Sequence, residues 1–110
     1  MLHVLLSLDL KNATEQRDDF YKKLAEIKFV KVYGVDTVWV NPMRVTPSQE
    51  TIDDLIRSMH TILKDTTERL KIDKISYVLQ MGNTAPIGVV IERVRGAYRV
   101  DEFDPAVKTD

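Results

Sequence analysis

Asp9 is the residue whose type and position most clearly suggest chemistry, because it is a carboxylate inside the apolar run HVLLSLDLKN. Strands that enter a core normally exclude acids. Lys11 and Asn12 end the run, so Asp9 is expected at the strand end. Carboxylate oxygens suit Mg²⁺ or Mn²⁺, and a two-fold dimer would supply a second copy of this single ligand. The sequence equally allows Asp9 to cap the turn or to accept backbone N–H groups there.

The other ionisable residues give weaker patterns. Asp18–Asp19 and Asp53–Asp54 are adjacent pairs, and neighbours on a helix point about 100° apart, so we interpret them as solvated helix charges. His3 and His60 are the only histidines. They lack the HxH or HExxH spacing of metal ligands and are predicted to be structural or surface residues.

The densest cationic stretch is Arg93, Arg95 and Arg99, with Tyr98 among them. Strand alternation predicts that Arg93 and Arg95 share one exposed face, which could also include Arg99. Such a face could follow a phosphate backbone while Tyr98 stacks on a base. Exposed edge strands also carry charges simply to prevent aggregation. Sixteen basic and seventeen acidic residues give a net charge of −1, so any contact with nucleic acid must be local.

Several classes of chemistry are disfavoured by residues that are missing. The sequence has no cysteine, which excludes disulfides and thiolate sites and is typical of a cytoplasmic protein. Its four glycines do not form a phosphate-binding loop, and its serines lack a GxSxG context. We therefore expect no organic cofactor. The apolar N-terminus is interrupted by Asp9 and is interpreted as a strand, so no membrane association is expected.

The hydrophobic pattern alternates strands with helices. The first predicted elements are a strand at 2–8 that is buried on both faces and a helix whose apolar stripe is Phe20, Leu24 and Ile27. Two β-rich runs within 29–40 follow and end at Asn41 and Pro42. A second helix runs from the capping residues Thr46, Pro47 and Gln49 to about residue 70, and further strands are expected at 74–81, 87–94 and 97–100.

This order predicts an α+β fold of the ferredoxin-like βαββαβ type, with an antiparallel sheet, two helices on one face and an extra C-terminal strand or hairpin. Residues 1–100 would form a single domain and residues 101–110 a C-terminal tail. The second face of such a sheet needs a cover. With Tyr33, Trp39 and Tyr77 expected there, a homodimer packed sheet against sheet is the natural cover.

Three features resemble the Cas2/VapD-like group of small ferredoxin-fold proteins: the opening HVLLSLDL with Asp9 at the strand end, Arg17 in the following helix, and FVKVYGVDTVWVN. The resemblance covers mainly residues 3–41. It implies a homodimer in which the strand-end aspartate holds a divalent metal for cleavage of RNA or DNA. The chain departs from the group at Asp36 and Thr37, where a serine is common, and in a longer segment after Gly82.

The resemblance therefore implies a metal-dependent endoribonuclease that acts as a homodimer. Asp9 would be both the catalytic residue and the ligand of Mg²⁺ or Mn²⁺, and Arg17, Arg93, Arg95 and Arg99 would hold the phosphates of RNA or DNA. The alternative is a non-catalytic dimeric module, binding or regulatory, that holds a protein partner or a small ligand through its sheet face or its C-terminal strands.

Overall fold

A computed structural model of the chain describes residues 1–35 and 37–107. Two helices and six strands follow one another within them. In chain order they are β1 (Leu2–Lys11), α1 (Arg17–Glu26), β2 (Val30–Lys31), β3 (Val38–Met43), α2 (Gln49–Arg69), β4 (Lys74–Met81), β5 (Ile87–Val94) and β6 (Ala97–Phe103).

All six strands form one antiparallel sheet in the order β2-β3-β1-β4-β5-β6. The first strand of the chain therefore lies inside the sheet, between β3 and β4. The hairpin of β5 and β6 extends the sheet beyond β4, and β6 forms its far edge. The predicted α+β class and the antiparallel sheet are confirmed.

The core lies on one face of this sheet, where both helices pack. Tyr21 of α1 contacts Trp39 of β3 with ring centroids 4.9 Å apart, and His60 of α2 bonds to Tyr77 of β4. Register places both partners on the face that carries Leu6. Burial of each large apolar side chain there contributes about 1.5–3 kcal/mol. The β1 side chains in this core are Leu2, Val4, Leu6, Leu8 and Leu10.

β1 is buried on this one face only, so the prediction of burial on both faces is wrong. Its residues alternate between buried and more exposed, and Leu5 remains 42% exposed. The aromatic residues expected on the second face are also placed differently. Trp39 and Tyr77 are 5% and 1% exposed beneath the helices, and Tyr33 lies fully exposed in the connection between β2 and β3. The aromatic argument for a sheet-against-sheet dimer is therefore lost.

Several element boundaries differ from the prediction. β1 runs to Lys11 instead of ending at residue 8, so Asp9 lies within the strand and not at its end. β3 continues through Asn41 and Pro42 to Met43, because the buried Asn41 amide donates to the Ile27 carbonyl at 3.0 Å and β2 does not reach Pro42. Proline is tolerated where a strand has no neighbour on one side. α2 ends close to the predicted residue 70 but begins after Ser48, whose hydroxyl accepts the Thr51 N–H.

At the C-terminus, β6 extends through Phe103. Residues 101–103, which the sequence assigned to the tail, are thus part of the sheet. Within residues 1–35 and 37–107, no helix is both long and apolar enough to cross a membrane.

Candidate functional site

The face of the sheet opposite the helices is left without a covering element by the described part of the chain, and we call it the open face. Strand register assigns its side chains. They are Val30 of β2, His3, Leu5, Ser7, Asp9 and Lys11 of β1, Val38, Val40 and Pro42 of β3, Lys74, Ser76, Val78 and Gln80 of β4, Gly88, Val90, Glu92 and Val94 of β5, and Ala97, Arg99, Asp101 and Phe103 of β6.

The middle of the open face is apolar. Leu5 lies opposite Val40, and Val78 lies opposite Gly88, which in turn lies opposite Phe103. Leu5 and Phe103 are 42% and 43% exposed. A Cβ atom on Gly88 would lie 2.6 Å from the Phe103 ring, so the ring covers this glycine and extends the apolar surface from β6 toward β4.

A depression of about 450 Å³ adjoins this apolar centre, at the end of the face where β1 begins. Apolar side chains form most of its wall, and His3 and Gln80 contribute polar groups. Its lining includes His3, Leu5, Val40, Pro42 and Gln80. A concave apolar wall with a few polar groups is the usual composition of a binding surface.

Asp9 is exposed on the open face, opposite Ser76 of β4. Together with Ser7, Thr37 and Phe103 it lines a second depression of about 300 Å³. Among residues 1–35 and 37–107, no three His, Cys, Asp or Glu side chains are grouped closely enough to hold a metal. In that part of the chain, Asp9 therefore does not belong to a cluster of three such ligands.

Charged residues border the apolar centre on the side of the Asp9 depression. Lys11 lies opposite Lys74, Lys74 opposite Glu92, and Glu92 opposite Arg99. The Lys74 ammonium is 3.9 Å from Glu92, and Arg99 Nε donates to Asp101 at 2.7 Å, a bond that raises the pKa of Arg99. Lys11, Lys74 and Arg99 are balanced by Asp9, Glu92 and Asp101, so this border has no net charge.

The predicted phosphate-binding arginines are not brought together. Arg93 lies opposite Tyr98 and Arg99 opposite Glu92, so the two arginines project from opposite faces of the sheet, and the prediction that Arg99 could share a face with Arg93 is wrong. Arg93 pairs with Asp73 at 2.6 Å. Arg95 lies in the turn between β5 and β6, and Arg17 is the first residue of α1. No shared phosphate-binding surface results.

A contact that the sequence did not predict joins α2 to β4. His60 Nδ1 lies 2.6 Å from the Tyr77 hydroxyl, at the helix side of the sheet. Burial lowers the pKa of His60, and the nearby Glu102 carboxylate partly opposes that effect. Burial is also the larger cause that raises the pKa of Tyr77, and there the Glu102 carboxylate adds to the increase. Both side chains are thus neutral near pH 7 and their hydrogen bond holds α2 on the sheet. Sequence spacing contains no signal for a contact between elements so far apart in the chain.

Comparison with known proteins gives no match: no protein-family model, curated protein or solved structure resembles this chain closely enough to be assigned. The resemblance to the Cas2/VapD-like group stays a prediction.

Proposed function

We propose that the chain is a homodimeric protein-binding module of ferredoxin-like type, and that the open face is its binding surface. The order β2-β3-β1-β4, with α1 and α2 on one face, supports the ferredoxin-like assignment, and β5 and β6 extend that unit. The observation that carries the function is the apolar centre of a sheet face with no covering element in the described chain. Contiguous exposed apolar surface is typical of protein interaction sites.

The chemistry of the open face favours a protein partner over nucleic acid. Its centre is built from aliphatic side chains such as Leu5, Val40 and Val78, and Phe103 is the single aromatic residue among the side chains assigned to it. Single-stranded nucleic acid is held by aromatic platforms and a positive groove. The charges bordering this face cancel. The expected partner is an amphipathic protein segment that places an apolar side on this surface.

Peptide selection tests this proposal. We expect a random peptide library selected on the wild-type protein to yield peptides with an apolar face. Binding should weaken at least tenfold in Val78→Lys, which places a charge at the centre of the open face, because burial of an unpaired ammonium is unfavourable. The matched control is Ser58→Lys on the exposed side of α2, which should bind as wild type does. Equal binding to both variants, or failure to select any peptide, would contradict the proposal.

A metal-dependent nuclease of the Cas2/VapD-like type is the second candidate function. The observation in its favour is the exposed carboxylate of Asp9 on the open face, next to the hydroxyls of Ser7 and Ser76. The described residues fit a divalent cation incompletely, since Asp9 is the one carboxylate among those that line this depression and Mg²⁺ requires several oxygen ligands. A second copy would have to bring its own Asp9 nearby.

Cleavage assays separate the two candidates. Labelled RNA and DNA would be incubated with wild-type protein, Asp9→Asn and the control Asp18→Asn, with Mg²⁺ or Mn²⁺ and with chelator. The protein-binding proposal predicts no cleavage by any of the three proteins. Metal-dependent cleavage by wild type and Asp18→Asn that disappears in Asp9→Asn would establish the nuclease instead.

A further inference from the structure

We propose that the homodimer forms through the edge of β6, which pairs antiparallel with β6 of a second copy in a register centred on Val100. The inference rests on the proposed homodimer and names the surface that forms it. It does not depend on what the open face binds.

β6 is the longer of the two edges of the sheet. It has seven residues, whereas β2 at the other edge has two. Every residue from Ala97 to Phe103 lies opposite one residue of β5, so no bulge interrupts the strand. β6 contains no lysine, proline or glycine. The common features that prevent an edge from pairing with another chain are therefore missing from β6, apart from its charged side chains.

The turn that precedes β6 determines which N–H and C=O groups of β6 point away from β5 and can bond to another strand. Arg95 and Gly96 have φ values of +52° and +84°, as in the two-residue type I′ turn, so Val94 and Ala97 form a hydrogen-bonded pair. The alternation of an antiparallel ladder then directs the N–H and C=O groups of Tyr98, Val100 and Glu102 away from β5. The Arg93 N–H supports this assignment, since it donates to the Asp73 carbonyl at 2.8 Å on the side opposite β6.

The side chains of β6 are self-complementary in the Val100 register. Val100 would lie opposite its own copy, Tyr98 opposite Glu102, and Arg99 opposite Asp101 of the second copy. Within each chain Arg99 already bonds to Asp101 at 2.7 Å on the open face, so two such pairs would meet as one network of alternating charge. Opposite charges facing each other across strands are stabilising.

Neighbouring registers lack this complementarity. Sliding the second strand by two residues keeps the same backbone groups paired, because the ladder repeats every two residues. In one direction the slide places Arg99 opposite Arg99, and in the other it places Asp101 opposite Asp101. Like charges directly opposite are destabilising. The Val100 register therefore has the best match of charge, with about six backbone hydrogen bonds between the copies.

This dimer has a consequence for the open face. Joining two six-stranded sheets edge to edge would make one continuous sheet whose two open faces lie side by side and remain accessible. The two β1 strands would be separated by seven strand spacings, or about 34 Å at about 4.8 Å each. The two copies of Asp9 could not share a metal at that distance.

A proline at position 100 tests the edge directly. Sedimentation should give twice the chain mass of 12.7 kDa for wild type, and dimerisation should weaken at least tenfold in Val100→Pro. Proline removes an N–H that β5 does not use, so circular dichroism should show an unchanged fold. A monomeric wild type would contradict both the homodimer and this inference. A dimer that Val100→Pro leaves intact would overturn the β6 edge alone.

Charge exchange supplies a second test that does not depend on proline. Arg99→Asp and Asp101→Arg each place like charges opposite in a homodimer, and each should dimerise at least tenfold more weakly. Mixing the two variants should restore a heterodimer, because every facing pair is then of opposite charge. Neither variant can form the Arg99–Asp101 pair within its own chain, so the restored association must come from contacts between the two chains. If both variants associate weakly alone and form no heterodimer when mixed, the register centred on Val100 is contradicted.

Discussion

Replacing Tyr77 with Phe tests the contact that holds α2 on the sheet. The substitution keeps the ring, which is 1% exposed, and removes the hydroxyl that lies 2.6 Å from His60 Nδ1. A hydrogen bond of this kind contributes about 1 kcal/mol net. His60 is only partly buried, so water can reach its unpaired nitrogen and the cost should not rise much above that value. We expect the free energy of unfolding to fall by about 1 kcal/mol and Tm by about 4 °C.

Thermal and urea unfolding measure this loss. Tyr33→Phe is the matched control, because it removes the same hydroxyl from a ring that is fully exposed, and its free energy of unfolding should change by less than about 0.5 kcal/mol. A double-mutant cycle with His60→Leu should assign most of the Tyr77→Phe effect to the pair. Equal stability of Tyr77→Phe and Tyr33→Phe would refute the argument that this hydrogen bond stabilises the fold.

Three further predictions concern pH, the covered glycine and the buried amide. Burial lowers the pKa of His60 in the folded protein, so below about pH 6.5 the unfolded chain binds the proton more readily. Stability should therefore fall as pH decreases through that range and less so in His60→Gln; identical pH dependence would contradict it. Gly88→Ala should destabilise the wild type by about 1 kcal/mol, because the added methyl group displaces the Phe103 ring. The same substitution should cost much less in a Phe103→Ala background, which urea denaturation of the wild type, the two single variants and the double variant would show. Asn41→Ala should cost about 1–3 kcal/mol in urea unfolding, because the Ile27 carbonyl loses its donor; a loss below about 0.5 kcal/mol would be inconsistent with that bond.

The sequence predicted the elements whose pattern is self-contained. β4 shows period-two alternation and α2 shows an apolar stripe behind capping residues, and both were located closely. The faces of the strands were harder to predict. Val38, Trp39 and Val40 are all apolar, so alternation alone does not tell which of them enters the core. Leu5 is apolar yet lies on the open face, so apolar character alone does not tell which side of the sheet enters the core.

The candidate site was predictable only in part. Asp9 was expected at the strand end, but β1 continues through Lys11, and Asp9 pairs with Ser76 two residues before that end. The open face depends on pairing between strands distant in sequence, such as Val78 with Gly88 and Gly88 with Phe103. The separation of Arg93 from Arg99 follows from the two-residue turn at Arg95 and Gly96, which sets the register of β6. No composition or spacing rule supplies that register.

Methyl relaxation by a soluble paramagnetic chelate tests the central claim most directly, that the open face stays accessible while β6 forms the dimer. Leu5 and Val100 are 42% and 45% exposed in the single chain, so an undimerised protein would show similar relaxation at both. In the dimer we expect strong relaxation of the Leu5 methyls and weak relaxation of the Val100 methyls. Protected Leu5 with exposed Val100 would show that the sheets pack face to face and would contradict the account.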